Sequence, residues 1–363
     1  AAAHAPQDCG RPQYAWRCPQ SVTNKARPRW SQVVAQRSAH LMQAVESGHA
    51  ASIQAAARDW LQLAGQALHD PVAGKSRNNR QYGKLGRLVN GDQPDPVHEP
   101  ERNGPARSER LQRAARVTFH LKNCNVSKAA AAVVAPAFAD PTDEVLDTLR
   151  ALHPPHQGPS DIPEPTLDHG HMGPELFGKV VANLPKGKAP GQSGWTYEMI
   201  GAACEDPTAF TALNDLVNVL IPGQLPYIPD LLDCRLLSFA KPDGGVRPIA
   251  VGEVLTRLVS LCALAMEPAL GPSLAPYQFA VGIPGGSQVV AHAVRTYLEN
   301  DPSNVAVSVD FRNAFNACSR TEALTATAEM APRLYNWLRY QYQQPTRLWV
   351  AGAPEGTPPL MSE

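Results

Sequence analysis

The sequence predicts an α+β protein, a mainly helical N-terminal region followed by a denser region that mixes helices with strands. Three observations carry this. Apolar residues recur at spacings near three and four through residues 31–69 and again over 109–152, the period of an α-helix. Runs with strand character lie further on, at Arg235 to Ala240, Val246 to Ala250 and Asn304 to Asp310, the last alternating Val305, Val307 and Val309. Proline and glycine punctuate the chain, and 35 prolines in 363 residues is about twice the average usage.

Residues 1–30 carry Pro6, Pro12, Pro19 and Pro28 and read as poorly ordered. Residues 31–69 read as helix through Leu41, Met42, Val45, Ile53, Ala56, Trp60 and Leu63. Residues 70–108 turn to Gly, Pro, Asn and Arg, with Asp92-Gln93-Pro94-Asp95-Pro96 as breakers. They are expected to form a loop that carries the basic stretch Lys75, Arg77, Arg80, Lys84 and Arg87. Helix returns over 109–152, where Asn125 or Ser127 can cap a run from Lys128 to Val134, and a second helix runs from about Asp143 to Leu152. Residues 153–169, with Pro154, Pro155, Pro159, Pro163 and Pro165, read as a linker. Beyond residue 170, helices are expected at Glu175 to Leu184, Thr196 to about Cys204, Glu253 to Met266 and Gln288 to Leu298. Lys241-Pro242-Asp243-Gly244-Gly245 has the composition of a hairpin tip. Ser319-x-x-Glu322 is a capping box that starts another helix.

Several classes fall away. Lys plus Arg and Asp plus Glu are 33 each, so the formal net charge is zero and a histone-like polycation is excluded. A local basic groove stays open, because binding follows the local field rather than the sum. Apolar residues are 43% of the chain, enough for a sizeable core. The apolar run Ala129 to Ala139 falls short of the roughly 20 residues a bilayer needs, and Arg257 and Glu267 interrupt Val254 to Leu270. No signal peptide or transmembrane segment is expected. Cys9, Cys18, Cys124, Cys204, Cys234, Cys262 and Cys318 are scattered and form no C-x-x-C pair, which supports neither a disulfide framework nor a zinc ribbon and fits a reducing compartment. The first methionine is Met42, and the chain reads as a fragment at both ends.

Asp310 closes the expected strand Val305 to Val309. A charge there is tolerable when it faces a cation, and two-metal phosphoryl transfer needs carboxylates in such a place. Taken alone, a strand-end aspartate is ordinarily a turn or cap residue. Lys241 and Arg247 flank the hairpin tip and could fold over a triphosphate, Arg as a fork of donors and Lys as a point charge. A solvated tip is the plain alternative. The loop Leu184-Pro185-Lys186-Gly187-Lys188-Ala189-Pro190-Gly191-Gln192-Ser193-Gly194-Trp195 lacks the residue order of a P-loop. It could still offer backbone N–H groups, with Lys186 and Lys188, to a nucleic-acid phosphate. Taken alone, this loop reads as a surface connection. Gly282-Ile283-Pro284-Gly285-Gly286 and the run Gly352 to Leu360 pass for turns. His153, His156, His169 and His171, with Asp161 and Asp168, are a weak zinc candidate. Arg102, Arg107, Arg110, Arg113 and Arg116 read either as a solvated helix face or as a phosphate-tracking surface.

The order of these segments resembles the reverse transcriptase domain of non-LTR (LINE-type) retrotransposons. The matching strings are Lys188-Ala189-Pro190-Gly191 with Gly194-Trp195, Lys241-Pro242-Asp243-Gly244-Gly245-Val246-Arg247-Pro248-Ile249, Gly282-x-Pro284-Gly285-Gly286, Val309-Asp310-Phe311-Arg312-Asn313-Ala314-Phe315, and Gly352 with Glu355-Gly356-x-Pro358. They span Met172 to Leu360. Asn125 to Pro154 is more loosely similar to the helical region that precedes this domain. The resemblance implies right-hand polymerase fingers over 170–300 and a partial palm over 301–363. It implies RNA-directed DNA synthesis with an RNA template, a DNA primer, deoxynucleotide triphosphates and two Mg2+ ions, at a nuclear site of action and with no membrane involved. By position, Asp310 would be the first metal-binding aspartate and catalytic residue, with the Phe311 carbonyl as a further ligand. Asn313 and Ala314 would offer backbone N–H groups to the triphosphate, and Phe315 would be the aromatic steric gate. Lys241 and Arg247 would grip the incoming nucleotide. Gly356 would lie in the loop beneath it, beside Glu355. Lys186, Lys188, Arg113 and Arg116 would meet nucleic acid.

Two departures from the family pattern stand out. The family usually has Gln-Gly-Asp-Pro where this chain has Glu355-Gly356-Thr357-Pro358, which sets a negative charge where a neutral amide meets the nucleotide. The paired aspartates of the next family motif are expected beyond Glu363, so the chain by itself is expected not to polymerise. The alternative reading is a non-catalytic nucleic-acid-binding remnant of a degenerate element. A purely structural helical protein accounts for residues 31–152 but not for the ordered motifs after 170.

Overall fold

A computed structural model describes residues 21–68, 77–92, 109–122, 124, 126–134, 138–155, 161–166, 169–280 and 283–363. The expected disorder of residues 1–20, together with Lys75, Arg102, Arg107, Asn125, His156, Asp168 and Gly282, lies outside them. Residues 21–30 are ordered rather than loose. A short 3-10 turn leads into α1 (Arg27–Ser47), and Trp30 is fully buried. The helix expected over 31–69 is two helices. Gly48 takes a left-handed conformation (φ 70°) and closes α1, and α2 (Ala50–Leu68) follows.

The loop expected over 70–108 contains a helix, α3 (Arg77–Val89). Gln81, Leu85 and Leu88 are buried there at helical spacing, and Gly83 and Gly86 mask the pattern in the sequence. Gly86 lies against the Arg29 guanidinium, which would have to shift to admit a Cβ there. That guanidinium stacks 3.5 Å from the Tyr82 ring centre and donates to the Tyr82 carbonyl at 2.7 Å. Next come α4 (Glu109–Lys122) and α5 (Val126–Val134), which pack on each other, and α6 (Asp143–Leu152), whose N-cap Thr142 hydroxyl accepts from the Val145 N–H.

Past residue 170 lie α7 (Pro174–Ala182), α8 (Tyr197–Ala203), α9 (Pro207–Leu220), α10 (Pro229–Leu232), α11 (Val254–Ala265), α12 (Leu270–Ser273), α13 (Gly286–Asn300), α14 (Ala314–Ala317), α15 (Arg320–Met330) and α16 (Pro332–Tyr342). Part of the proline excess has a structural use. Proline stands in the first turn of α1, α7, α9, α10 and α16, where its fixed φ suits the helix and its missing N–H costs nothing. Ser319 caps α15 as the capping box predicts, accepting from the Glu322 N–H.

The sheet has four strands in the order β2-β1-β3-β4. β1 (Cys234–Ala240) and β2 (Val246–Gly252) form the expected hairpin, with Phe239 opposite Arg247. β3 (Thr346–Val350) joins β1 in parallel and turns back antiparallel into β4 (Leu360–Ser362). Leu146 and Leu149 of α6 cover Leu236, Val246, Leu348, Val350 and Leu360. The strand expected over Asn304 to Asp310 is absent. Val305, Val307 and Val309 are 75%, 82% and 68% exposed and join no ladder, since alternation creates a face but not the partner edge a strand needs.

One large core runs through α1, α2 and α3, through α7 to α11, and on to Trp337 and Tyr340 of α16. At its centre Trp195 stacks on Trp60 at 4.2 Å and tilts against Trp30 at 5.0 Å. Its indole N–H is shared between the Trp60 and Leu61 carbonyls at 3.2 and 3.1 Å. The N-terminal helices are therefore fastened directly to the segment that follows the basic loop.

Candidate nucleic-acid interface

β1 and β3 are parallel, so the loops that follow them, Lys241–Gly245 and Ala351–Pro359, leave the same end of the sheet. Leu236 pairs with Val350, and β1 continues four residues further, so the hairpin tip stands about 13 Å beyond the end of β3. The tip is tight. Lys241 N–H donates to the Gly245 carbonyl at 2.8 Å, and the Asp243 carboxylate accepts from the Gly245 N–H at 3.0 Å. Gly244 has φ 81°, a conformation that favours glycine. Lys241 and Arg247 are exposed. Residues 138–141 run between the end of β1 and the start of the second loop. Phe138 packs on Phe239 at 4.7 Å, Ala139 N–H donates to the Ser238 carbonyl at 2.9 Å, and Pro141 lies against Gly352. Glu355 and Gly356 sit exposed at the outer turn, with Gly356 at φ 83°.

The loop before α8 divides in two. Lys186 to Ala189 are exposed, whereas Pro190 to Trp195 are buried. The reading of this loop as a surface connection therefore holds for its first half and fails for its second. Its anchor is Glu253, which follows β2 and precedes α11. Glu253 is fully buried and accepts from the Ser193 N–H at 2.9 Å and from the Ser193 hydroxyl. Gly191 fits so closely that an added Cβ would meet the Glu253 backbone at 2.9 Å. Burial pushes the Glu253 carboxyl up to about 7, opposed by the Ser193 and Gln192 bonds and by Arg257. Arg257, one turn along α11, donates to the Ala189 carbonyl at 3.0 Å and lies 5.1 Å from the Tyr197 ring centre. The Gln192 amide reaches the Cys234 carbonyl at the start of β1 at 3.4 Å.

Asp310, Phe311, Ala314 and Phe315 are exposed, Phe315 at 99%. Their anchor is Asn313, at φ 55°, whose amide donates to the Leu152 carbonyl at the end of α6 at 2.8 Å. Asp310 is thus tethered to the helix beneath the sheet, not built into the sheet. Asp310 and the Phe311 carbonyl are hard oxygen donors of the kind Mg2+ takes. Among the described residues, however, no group of three or more His, Cys, Asp or Glu side chains gathers to hold a metal ion, so they do not fit a two-ion site. Of the histidine candidate, His156 and Asp168 lie outside the described residues, and His153 Nδ1 lies 2.8 Å from the Leu149 carbonyl. In the arginine stripe, Arg113 reaches across to the Val133 carbonyl of α5 at 3.1 Å, at the surface, and Arg116 is exposed.

Sequence reasoning missed two buried acidic nodes. One is Glu253. The other is Asp233, which receives Arg347 through Nε and Nη2 at 2.9 and 2.8 Å and the Trp349 indole N–H at 2.8 Å. This node ties β3 to the start of β1. Each acid stands between apolar runs, Val251-Gly252 before Val254-Leu255 and Leu231-Leu232 before Leu236-Leu237, and that setting is the signal of a buried, partnered charge.

These features define an α+β protein whose basic hairpin and clamped basic loop are fastened to one helical core. No protein-family model matches the chain. It is 27% identical over 157 residues to the retrotransposable element SLACS 132 kDa protein of Trypanosoma brucei gambiense. The match takes in 42% of this chain and 13% of the relative's length. The similarity supports a retrotransposon-related origin. Among the described residues no helix is long and apolar enough to cross a membrane.

Proposed function

We propose that this chain is the nucleic-acid- and nucleotide-facing part of a non-LTR reverse transcriptase, fingers and part of a palm, acting on an RNA template with a DNA primer at a nuclear site. The observation that carries the reading is the β1–β2 hairpin, which projects Lys241 and Arg247 beyond the sheet end from which the Glu355–Gly356 loop also leaves. The retrotransposon similarity supports it. In this reading Lys241 and Arg247 hold phosphate oxygens of the incoming nucleotide, and the Phe315 ring packs under its sugar and disfavours a 2′-hydroxyl.

The test is RNA and primer–template binding by the full chain, with and without Lys241→Ala and Arg247→Ala, followed by primer extension with Mg2+. We expect salt-sensitive binding of RNA, nucleotide-dependent stabilisation of the primer–template complex that both variants weaken, and no extension by this chain alone. A chain that binds neither RNA nor primer–template at low salt overturns the reading. RNA binding with no response to nucleotide moves the function to the non-catalytic remnant.

A further inference from the structure

We infer that Glu253 and Arg257 are positioning residues for nucleic acid: from the first turn of α11 they set the shape of the basic loop that carries Lys186 and Lys188. The inference rests on the reading above that this loop meets a phosphodiester backbone. The loop has no regular secondary structure over Pro185–Thr196, so its course is set by its side-chain and backbone partners. Glu253 takes both the N–H and the hydroxyl of Ser193, and Arg257 takes the Ala189 carbonyl at 3.0 Å. These bonds bracket Pro190 and Gly191, and Gly191 lies against the Glu253 backbone. On the other side, the Glu198 carboxylate accepts from the Gly187 N–H at 2.6 Å, where Gly187 has φ 69°. The exposed stretch Lys186 to Ala189 is therefore pinned at both ends by charged side chains of two different helices, α8 and α11. Glu253 also follows β2 directly, and Gln192 reaches the first residue of β1. The clamp thus fixes the basic loop relative to the hairpin that carries Lys241 and Arg247. Two cationic loops on one rigid frame can track successive phosphates, whereas a loose loop loses affinity to ordering entropy.

The experiment uses the full chain and a single-stranded oligouridine RNA, with affinity measured across a salt series and the urea midpoint measured in parallel. Lys186→Ala with Lys188→Ala should lower the salt slope by about 1.4, from two lost phosphate contacts on a single strand. Ser193→Ala and Arg257→Lys leave every lysine in place, yet each should weaken binding about five-fold and lower the slope by a fraction, the effect of freeing one hydrogen-bonded anchor. A role confined to folding would move the urea midpoint and leave the slope alone, which overturns the inference. If the double lysine variant keeps the wild-type slope, the loop does not meet phosphate, and the reading it rests on fails with it. If the lysine variant loses slope while Ser193→Ala and Arg257→Lys bind as wild type, the reading stands and the positioning role is wrong. Should Ser193→Ala fail to fold, Arg257→Lys, on the more exposed side of the clamp, decides alone.

Discussion

Glu253→Gln tests the physics of the clamp most directly. A buried carboxyl is costly to ionise, and here its titration moves from an ordinary 4.5 to about 7. Between those values the folded chain holds a proton that the unfolded chain has lost. The stability this provides is fully present below pH 4.5 and disappears as pH rises through 7. A shift of that size corresponds to about 3 kcal/mol. Gln keeps the volume and one acceptor oxygen for Ser193 but cannot ionise, so the variant lacks this pH-dependent loss. The assay is urea unfolding of both proteins at several values from pH 4.5 to 8. Glu253→Gln should gain on the wild type by about 3 kcal/mol as pH rises across the series. Taking the difference cancels the other buried acids, Asp233 among them, because they are common to both proteins. The Cys234 thiol also faces Glu253, and burial pushes it up to about 12, so it stays neutral across the whole series. Two unfolding-energy curves that stay parallel from pH 4.5 to 8 would refute the reasoning.

Other substitutions test other parts of the frame. Trp195→Ala removes the ring between Trp60 and Trp30 and should cost about 3–5 kcal/mol in urea unfolding; a loss under about 1 kcal/mol would mean the N-terminal helices are not part of the main core. Gly223 has φ 64°, and a Cβ there would meet the Asn336 carbonyl, so Gly223→Ala should lower the unfolding free energy, measured by urea, by more than about 1 kcal/mol. Phe315→Ala should leave stability within about 0.5 kcal/mol, because the ring is 99% exposed, and in a polymerising form of the protein it should admit ribonucleotides. Unchanged sugar discrimination in a primer-extension assay would remove Phe315 from the gate role.

The parts of the fold legible in the sequence are those set by local physics. The β1–β2 hairpin, α8, α11 and the Ser319 cap follow from periodicity and from turn or capping chemistry. The parts that were missed depend on distant partners. α3 hides behind two glycines, one of them packed against the Arg29 side chain from another helix. β3 and β4 have only five and three residues and exist because β1 supplies an edge, so nothing in Thr346 to Val350 alone announces a parallel strand. Asn304 to Asp310 fails in the opposite direction, with ideal alternation and no edge to join. Among the candidate site residues, the cations on loops were legible because turn composition places them at the surface. The buried carboxylates that hold those loops were not, since a single acid in an apolar stretch gives no clue to its partner 60 residues away.

The motif strings themselves divide along the same physical line. In Lys186 to Trp195 the first half is exposed and the second half builds the core; in Lys241 to Ile249, Val246 is buried while Lys241 and Arg247 face solvent. Substitution in a buried half costs stability, so any chain that must fold retains it. Substitution in an exposed half costs stability little. The departure at Glu355 falls at a fully exposed turn, and Thr357 lies in the same turn with its N–H bonded locally to the Pro354 carbonyl at 3.1 Å. Folding therefore places little constraint on Glu355, and the proposed function makes its charge bear on the nucleotide. Glu355→Gln is accordingly a clean discriminator. It should leave the urea midpoint unchanged and, where the loop lies under a bound triphosphate, tighten nucleotide-dependent stabilisation of the primer–template complex by removing a negative charge from beside the phosphates. A loop with no nucleotide over it would show no change in either measurement.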